Sequence, residues 1–140
     1  MEFDVVVAGG GLAGVFAAIS AAREGMKVLI VEKCGYLGGM ATSGLVFPFM
    51  TYRERGSHAT ANAGLFLEMN RRIAEIGGSS GVQHYKEEYM KLILDRMVRE
   101  AGVKVLFHAL LSDVVREGRV IKSITVDTMG VEYTAEKIAD

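Results

Sequence analysis

The sequence holds one cysteine, Cys34, and one proline, Pro48. A lone thiol excludes an internal disulfide framework and a cysteine-based zinc site, and it suits a reducing compartment such as the cytoplasm. No charge is in excess: 16 Lys and Arg face 17 Asp and Glu, a formal net charge of −1. Without a basic surplus there is no electrostatic case for nucleic acid or for an anionic membrane surface. Disorder requires few apolar residues and high net charge; here 50% of residues are hydrophobic. The three histidines, His58, His84 and His108, lack the spacing of a metal site, so no metal is expected.

Charge is also missing locally, since nothing from Val5 to Ala22 is charged. Such a run raises the question of a membrane span or a signal peptide. A signal peptide opens on positive charge, whereas this chain opens Met1-Glu2-Phe3-Asp4. A spanning helix would have to pass through Gly9-Gly10-Gly11, at about 1 kcal/mol per glycine relative to alanine. The run therefore divides into a strand, Phe3–Ala8, a glycine turn, and a helix, Leu12–Arg23.

What is abundant is glycine: 17 residues, nine of them among the first 44. Backbone held close to something is the implication. Val5-Val6-Val7 suits a buried parallel strand, Leu12–Arg23 a buried helix ended by Gly25, and Lys27–Glu32 a second buried strand. Together they predict a right-handed β-α-β unit. Residues 33–61 are irregular. Phe66, Met69, Ile73 and Ile76 predict a helix over 62–77. Met90, Ile93, Leu94, Met97, Val98 and Ala101 predict a longer one over 86–101, ended by Gly102. Val103–Phe107 reads as a third buried strand with His108 on it. Leu110–Arg116, Arg119–Asp127 and Val131–Ile138 read as a β-meander turning at Glu117-Gly118 and Met129-Gly130. The methionines read as core filler on helix faces.

Gly9-Gly10-Gly11-Leu12-Ala13-Gly14 fits G-x-G-x-x-G. Gly9 suits the tight strand-to-helix turn, Gly11 lets the backbone approach a pyrophosphate, and Gly14 lets the helix pack against the strand. The helix N-terminus offers free N–H groups to the phosphates. Glu32, 18 residues past Gly14 and at the end of the second strand, would accept hydrogen bonds from a ribose 2′-OH and repel a 2′-phosphate. Glycines that merely close a tight turn are the alternative, but they would leave the acid and the flanking elements as coincidence. Cys34 has no partner thiol and reads as a small residue beside the adenosine. The polar stretch Arg53-Glu54-Arg55-Gly56-Ser57-His58 reads as a solvated loop, or as one binding a carboxylate substrate.

These residues resemble the glutathione-reductase-type flavoproteins and, more closely, the FAD-dependent oxidoreductase group with its glycine-rich N-terminal domain. Leu37-Gly38-Gly39-Met40-Ala41-Thr42 looks like that group's second motif, against the pyrophosphate and flavin. Glu88-Tyr89-Met90-Lys91 looks like the start of the helix leading to its third strand. The stretch from Val105 to Val126 looks like the strand and meander that pass the adenine. The resemblance implies an α/β fold, a partial Rossmann-type FAD/NAD(P)-binding domain with a parallel sheet and an antiparallel meander. It implies FAD as cofactor and hydride transfer through flavin N5, with a small-molecule substrate in the complete enzyme. Residue by residue, Gly9, Gly11, Leu12, Ala13 and Gly14 would hold the pyrophosphate, and Glu32 the adenosine ribose, flanked by Lys33. Gly39, Met40, Ala41 and Thr42 would face the pyrophosphate and flavin, and the Leu111 backbone the adenine; no catalytic residue is implied. Family members continue into an Ala-Thr-Gly strand and a substrate domain. Residues 1–140 are therefore expected to be the N-terminal FAD-binding domain, stopping before the substrate domain, with apolar surface left exposed, so that the chain either associates with itself or a partner or binds FAD much more weakly than a complete flavoprotein. The rival readings are an NAD-binding Rossmann domain and a non-catalytic dinucleotide-binding or interaction module.

Overall fold

The computed structural model describes residues 2–46, 48–49, 62–79, 84–128 and 131–136, the last stretch by its backbone alone. Along the chain lie β1 (Val5–Ala8), α1 (Leu12–Arg23), β2 (Val28–Val31), a 3₁₀ turn at Gly39–Ala41, α2 (Leu65–Glu75) and α3 (Glu87–Glu100). Then come β3 (Lys104–Leu106), β4 (Leu110–Glu117), β5 (Val120–Thr128) and β6 (Val131–Glu136). They make a parallel sheet in the order β1-β2-β3 and an antiparallel meander in the order β4-β5-β6. This is the α/β arrangement expected from the sequence, with α1 reproduced at both ends.

The sheet is the middle of three layers, and strand alternation shows it. Val28 and Ile30 of β2 pack with Val15, Ala18 and Ile19 of α1 and with Met90, Ile93, Leu94, Met97 and Val98 of α3. Leu29 and Val31 point the other way, into a smaller cluster with Ile124 and Val126 of β5. A strand covered on both faces has no polar side to show, which is why β2 reads as an unbroken apolar run. Each fully buried aliphatic side chain contributes about 1.5–3 kcal/mol, so the helical layer holds most of the stability.

Within the parallel sheet only β2 is buried along its whole length. The flanking strands, expected to be buried too, are half-exposed over much of theirs. Each has one neighbour in the described sheet, whereas β2 has two. The expected strand end at Phe107 gives way after Leu106, and His108 lies past β3 in a left-handed turn rather than on a strand. Met69, Met90 and Met97 fill the core as expected, but Met26 and Met40 are exposed. The Arg53–His58 stretch, the Met129-Gly130 turn and the last residues of the expected final strand lie outside the described residues. Among those described, no helix is long and apolar enough to cross a membrane.

Ion pairs tie the helices to one another. Arg23 on α1 reaches Glu68 on α2 at 2.9 Å, Glu68 also meets Arg72 at 2.9 Å, and Arg72 reaches Glu100 on α3 at 2.6 Å. Hydrogen bonding to Arg23 holds the Glu68 carboxyl below the usual carboxylate range.

The α1–β1 contact is set by Gly14. A Cβ there would stand 2.1 Å from the Gly9 carbonyl oxygen and 3.1 Å from Val7 Cγ1. At Gly11 a Cβ would meet nothing within 4 Å. Gly14→Ala is expected to cost about 1–3 kcal/mol of urea stability, as overpacking does, and Gly11→Ala less than about 0.5. Equal losses would show that α1 does not rest on β1 through this glycine.

Candidate functional site

The carboxyl ends of β1 and β2 open onto the glycine turn. Gly9 leaves β1 at φ 106°, a conformation that side chains resist, and its N–H donates to the Val31 carbonyl at 2.8 Å. Gly11 then caps α1 without any side-chain hydrogen bond, and no acidic residue occupies the first turn. The first helical bond runs from Val15 N–H to the Gly11 carbonyl at 2.9 Å. The N–H groups of Leu12, Ala13 and Gly14 precede it and carry the positive end of the helix dipole.

Glu32 is 7% exposed, and both its carboxylate oxygens are engaged. Oε2 accepts from Gly10 N–H at 2.6 Å and Oε1 from Cys34 N–H at 2.8 Å. Its backbone is held as well: Glu32 N–H donates to the Leu106 carbonyl at 2.9 Å, and its carbonyl accepts from Ala109 N–H at 3.0 Å. One residue thus joins the β1–α1 turn, the β2 exit and the β3–β4 link. A carboxylate has about four lone-pair sites, so two remain for a ribose.

The second glycine pair packs on the first. Gly38 N–H donates to the Gly10 carbonyl at 2.8 Å, and Gly11 and Gly38 form a parallel bridge. A Cβ on Gly39 would sit 3.0 Å from Gly11 Cα, which explains a glycine there. Thr42 is buried and turned inward, its hydroxyl donating to the Leu37 carbonyl at 2.8 Å. Tyr85, whose ionisation burial pushes upward, donates to the carbonyls of Ala41 at 3.1 Å and Val46 at 3.2 Å. Met40 is exposed beside these residues and Ala41 is buried.

A cleft of about 210 Å³ lies beside the turn, lined by Ala8, Gly9, Val31, Glu32, Lys33, Ala109, Leu110 and Leu111. The structure therefore gathers Gly9, Glu32, Lys33 and Leu111 around one cleft, and sets Gly11 and Gly39, which are not among its lining residues, against each other. Leu12 faces elsewhere, into a larger groove of about 580 Å³ with Phe16, Phe49 and Phe66. Sequence reasoning passed over Gly10. A Cβ there would lie 2.6 Å from Leu37 Cδ2 and 3.0 Å from Glu32 Oε2. The middle glycine of Gly9-Gly10-Gly11, surplus to the motif, is the visible signal. Tyr85 and His108 left no comparable trace.

The residues present fit a dinucleotide: an uncapped helix N-terminus, open space in front of Gly9 and Gly11, and a carboxylate with lone pairs to spare. The sequence is 31% identical over 143 positions to digeranylgeranylglycerophospholipid reductase 2 of Methanopyrus kandleri, covering 97% of this chain and 34% of the relative. It is 29% identical to a thiamine thiazole synthase of Methanococcus aeolicus, covering 94% and 49%. The chain thus spans a third to a half of the length of these relatives. Its fold superposes on a 3-ketosteroid-Δ4-(5α)-dehydrogenase from Rhodococcus jostii with a TM-score of 0.66 at 18% identity, covering 98% of this chain and 44% of that one. The sequence model of the FAD dependent oxidoreductase family matches residues 4–140. A match of that extent decides between FAD and a nicotinamide dinucleotide, and it favours the closer of the two flavoprotein resemblances over the glutathione-reductase type: the chain belongs to the FAD dependent oxidoreductase family, with FAD as its cofactor.

Proposed function

We propose that these residues hold the AMP half and pyrophosphate of FAD, in a protein that carries out a flavin-dependent redox reaction on a small-molecule substrate. The observation that carries this reading is the open N-terminus of α1. Its first-turn N–H groups meet no side-chain cap, and Gly9 and Gly11 leave space in front of them. In this reading the N–H groups of Leu12, Ala13 and Gly14 neutralise the pyrophosphate. The spare lone pairs of Glu32 accept the ribose hydroxyls, and its charge excludes a 2′-phosphate. Lys33, exposed at the rim, flanks the ribose, and the Leu111 backbone lines the adenine side of the cleft. Gly39, Met40, Ala41 and Thr42 form the wall towards the flavin. Bound FAD supplies the redox chemistry, a hydride to or from flavin N5, while the chain positions the cofactor and supplies its electrostatic surroundings.

Residues 1–140 in this reading are the N-terminal FAD-binding domain of the protein. A cytoplasmic setting goes with it, since the one thiol suits a reducing compartment. Self-association goes with it too, because Val115, Val120 and Ile121 of the meander expose apolar surface.

Titration with FAD, followed by flavin fluorescence, tests the reading. Gly11→Val is expected to abolish binding and leave the fold intact, since the added side chain meets only the space meant for phosphate. Normal binding by this variant would place the phosphates elsewhere; an unfolded variant would make Gly11 a packing residue. Glu32→Ala is expected to weaken AMP binding by about 1–3 kcal/mol and to lower thermal stability as well, because the buried Gly10 N–H and the part-buried Cys34 N–H lose their acceptor. Unchanged AMP affinity together with lower stability would confine Glu32 to a structural role.

A further inference from the structure

The link from β3 to β4 crosses directly over the exit of β2, and His108 stands at the crossing with φ 53°. A residue with a Cβ adopts that region reluctantly, although histidine does so more readily than most. Two consecutive amides reward it here. His108 N–H donates to the Cys34 carbonyl at 3.3 Å, and Ala109 N–H donates to the Glu32 carbonyl at 3.0 Å. The imidazole lies over Gly35, with Cε1 and Nε2 each 3.0 Å from where a Cβ on that glycine would stand. The side chain is exposed, whereas Ala109 is buried. Immediately beyond, Ala109, Leu110 and Leu111 form one wall of the cleft that Glu32 and Lys33 close from the other side.

We propose that His108 is a positioning residue for the adenosine half of FAD. Its left-handed backbone sets where the Ala109–Leu111 wall stands relative to Glu32, and so sets the width of the cleft. The inference rests on the cleft being the adenosine site. What matters is the backbone conformation; the imidazole rests beside Gly35 and is not a ligand. A residue that resists positive φ lets the turn relax in the free protein, and bound nucleotide must then restore it. Apparent affinity is then multiplied by the fraction of free molecules still in the left-handed form.

The test measures AMP binding by calorimetry and thermal stability on the full chain, for wild type, His108→Gly, His108→Asn and His108→Val. Glycine and asparagine accept the left-handed region, so H108G and H108N are expected to bind AMP within about two-fold of wild type. H108V is expected to bind roughly five- to thirty-fold more weakly, the equivalent of a left-handed penalty of about 1–2 kcal/mol. Should H108V fail to fold, H108A, with a Cβ but no branch, provides the same contrast against H108G. Equal weakening in H108G and H108V would make the imidazole itself the ligand and overturn the inference. So would an H108V that melts earlier yet binds AMP as wild type does, since the strain would then be purely structural. A wild-type chain that binds FAD but not AMP would remove the adenosine reading, and this inference with it.

Discussion

Glu32 leaves β2 with a buried carboxylate whose two oxygens accept from Gly10 N–H and Cys34 N–H, while its own backbone pairs with Leu106 and Ala109. Burying a carboxylate is costly unless hydrogen bonds replace the lost water. Here the replacements are backbone amides, which cannot rotate away as a side-chain donor could. Because the bonds reach three separate segments, the same interaction that makes burial tolerable also fixes the segments relative to one another. The charge-assisted character of the bonds strengthens the tie. A ligand that approaches this point meets a wall already assembled, and its remaining task is to use the lone pairs left over.

Around that node the close approaches are made by glycines. Gly10 and Gly11 run against Gly38 and Gly39, and Gly14 lies on Gly9. The Gly14–Gly9 and Gly39–Gly11 contacts are backbone on backbone, and a Cβ on Gly14 or Gly39 would force them apart, whereas one on Gly10 or Gly38 would collide with the side chains of Leu37, Glu32 or Thr42. The second glycine segment needs anchoring from outside, because a short 3₁₀ turn supplies few bonds of its own. Thr42 ties it to Leu37, and Tyr85, from the start of the α3 region, ties Ala41 and Val46. The cation–π contact of Lys91 with Tyr36, 4.3 Å from the ring centroid, holds the same segment to α3. The long amphipathic helix α3 therefore has two roles: it covers the parallel sheet, and it supports the loop that faces the flavin in the proposed site.

The two-faced sheet explains how so few residues build a site at one end. With β2 buried on both sides, its carboxyl end is rigid and emerges between helix layer and meander. The crevice outside the strand ends is where open α/β sheets bind ligands. The start of the meander shapes the cleft beside the glycine turn, because Leu110 and Leu111 line it together with Gly9, and Ala109 just before them does too.

Local pattern alone determined the strand–glycine–helix–strand order, the limits of α1, the buried face of α3 and the meander. Each of these follows from periodicity or from a residue whose backbone preference is local, such as Gly25 or Gly102. Gly9, Gly11, Gly14 and Glu32 were legible as a set for the same reason, since their spacing is imposed by one β-α-β unit. Tertiary structure decided everything that depends on two distant segments meeting. That Gly10 must lack a side chain depends on Leu37 and Glu32, and that Thr42 turns inward depends on the Leu37 carbonyl. That β1 and β3 are half-exposed depends on how many neighbours each has in the sheet. His108 is the sharpest case. Its neighbours Phe107 and Ala109 give an apolar, strand-like reading, but the carbonyls of Cys34 and Glu32, more than 70 positions earlier, pull its backbone left-handed. Hydrogen bonds between segments so far apart leave no period in the sequence.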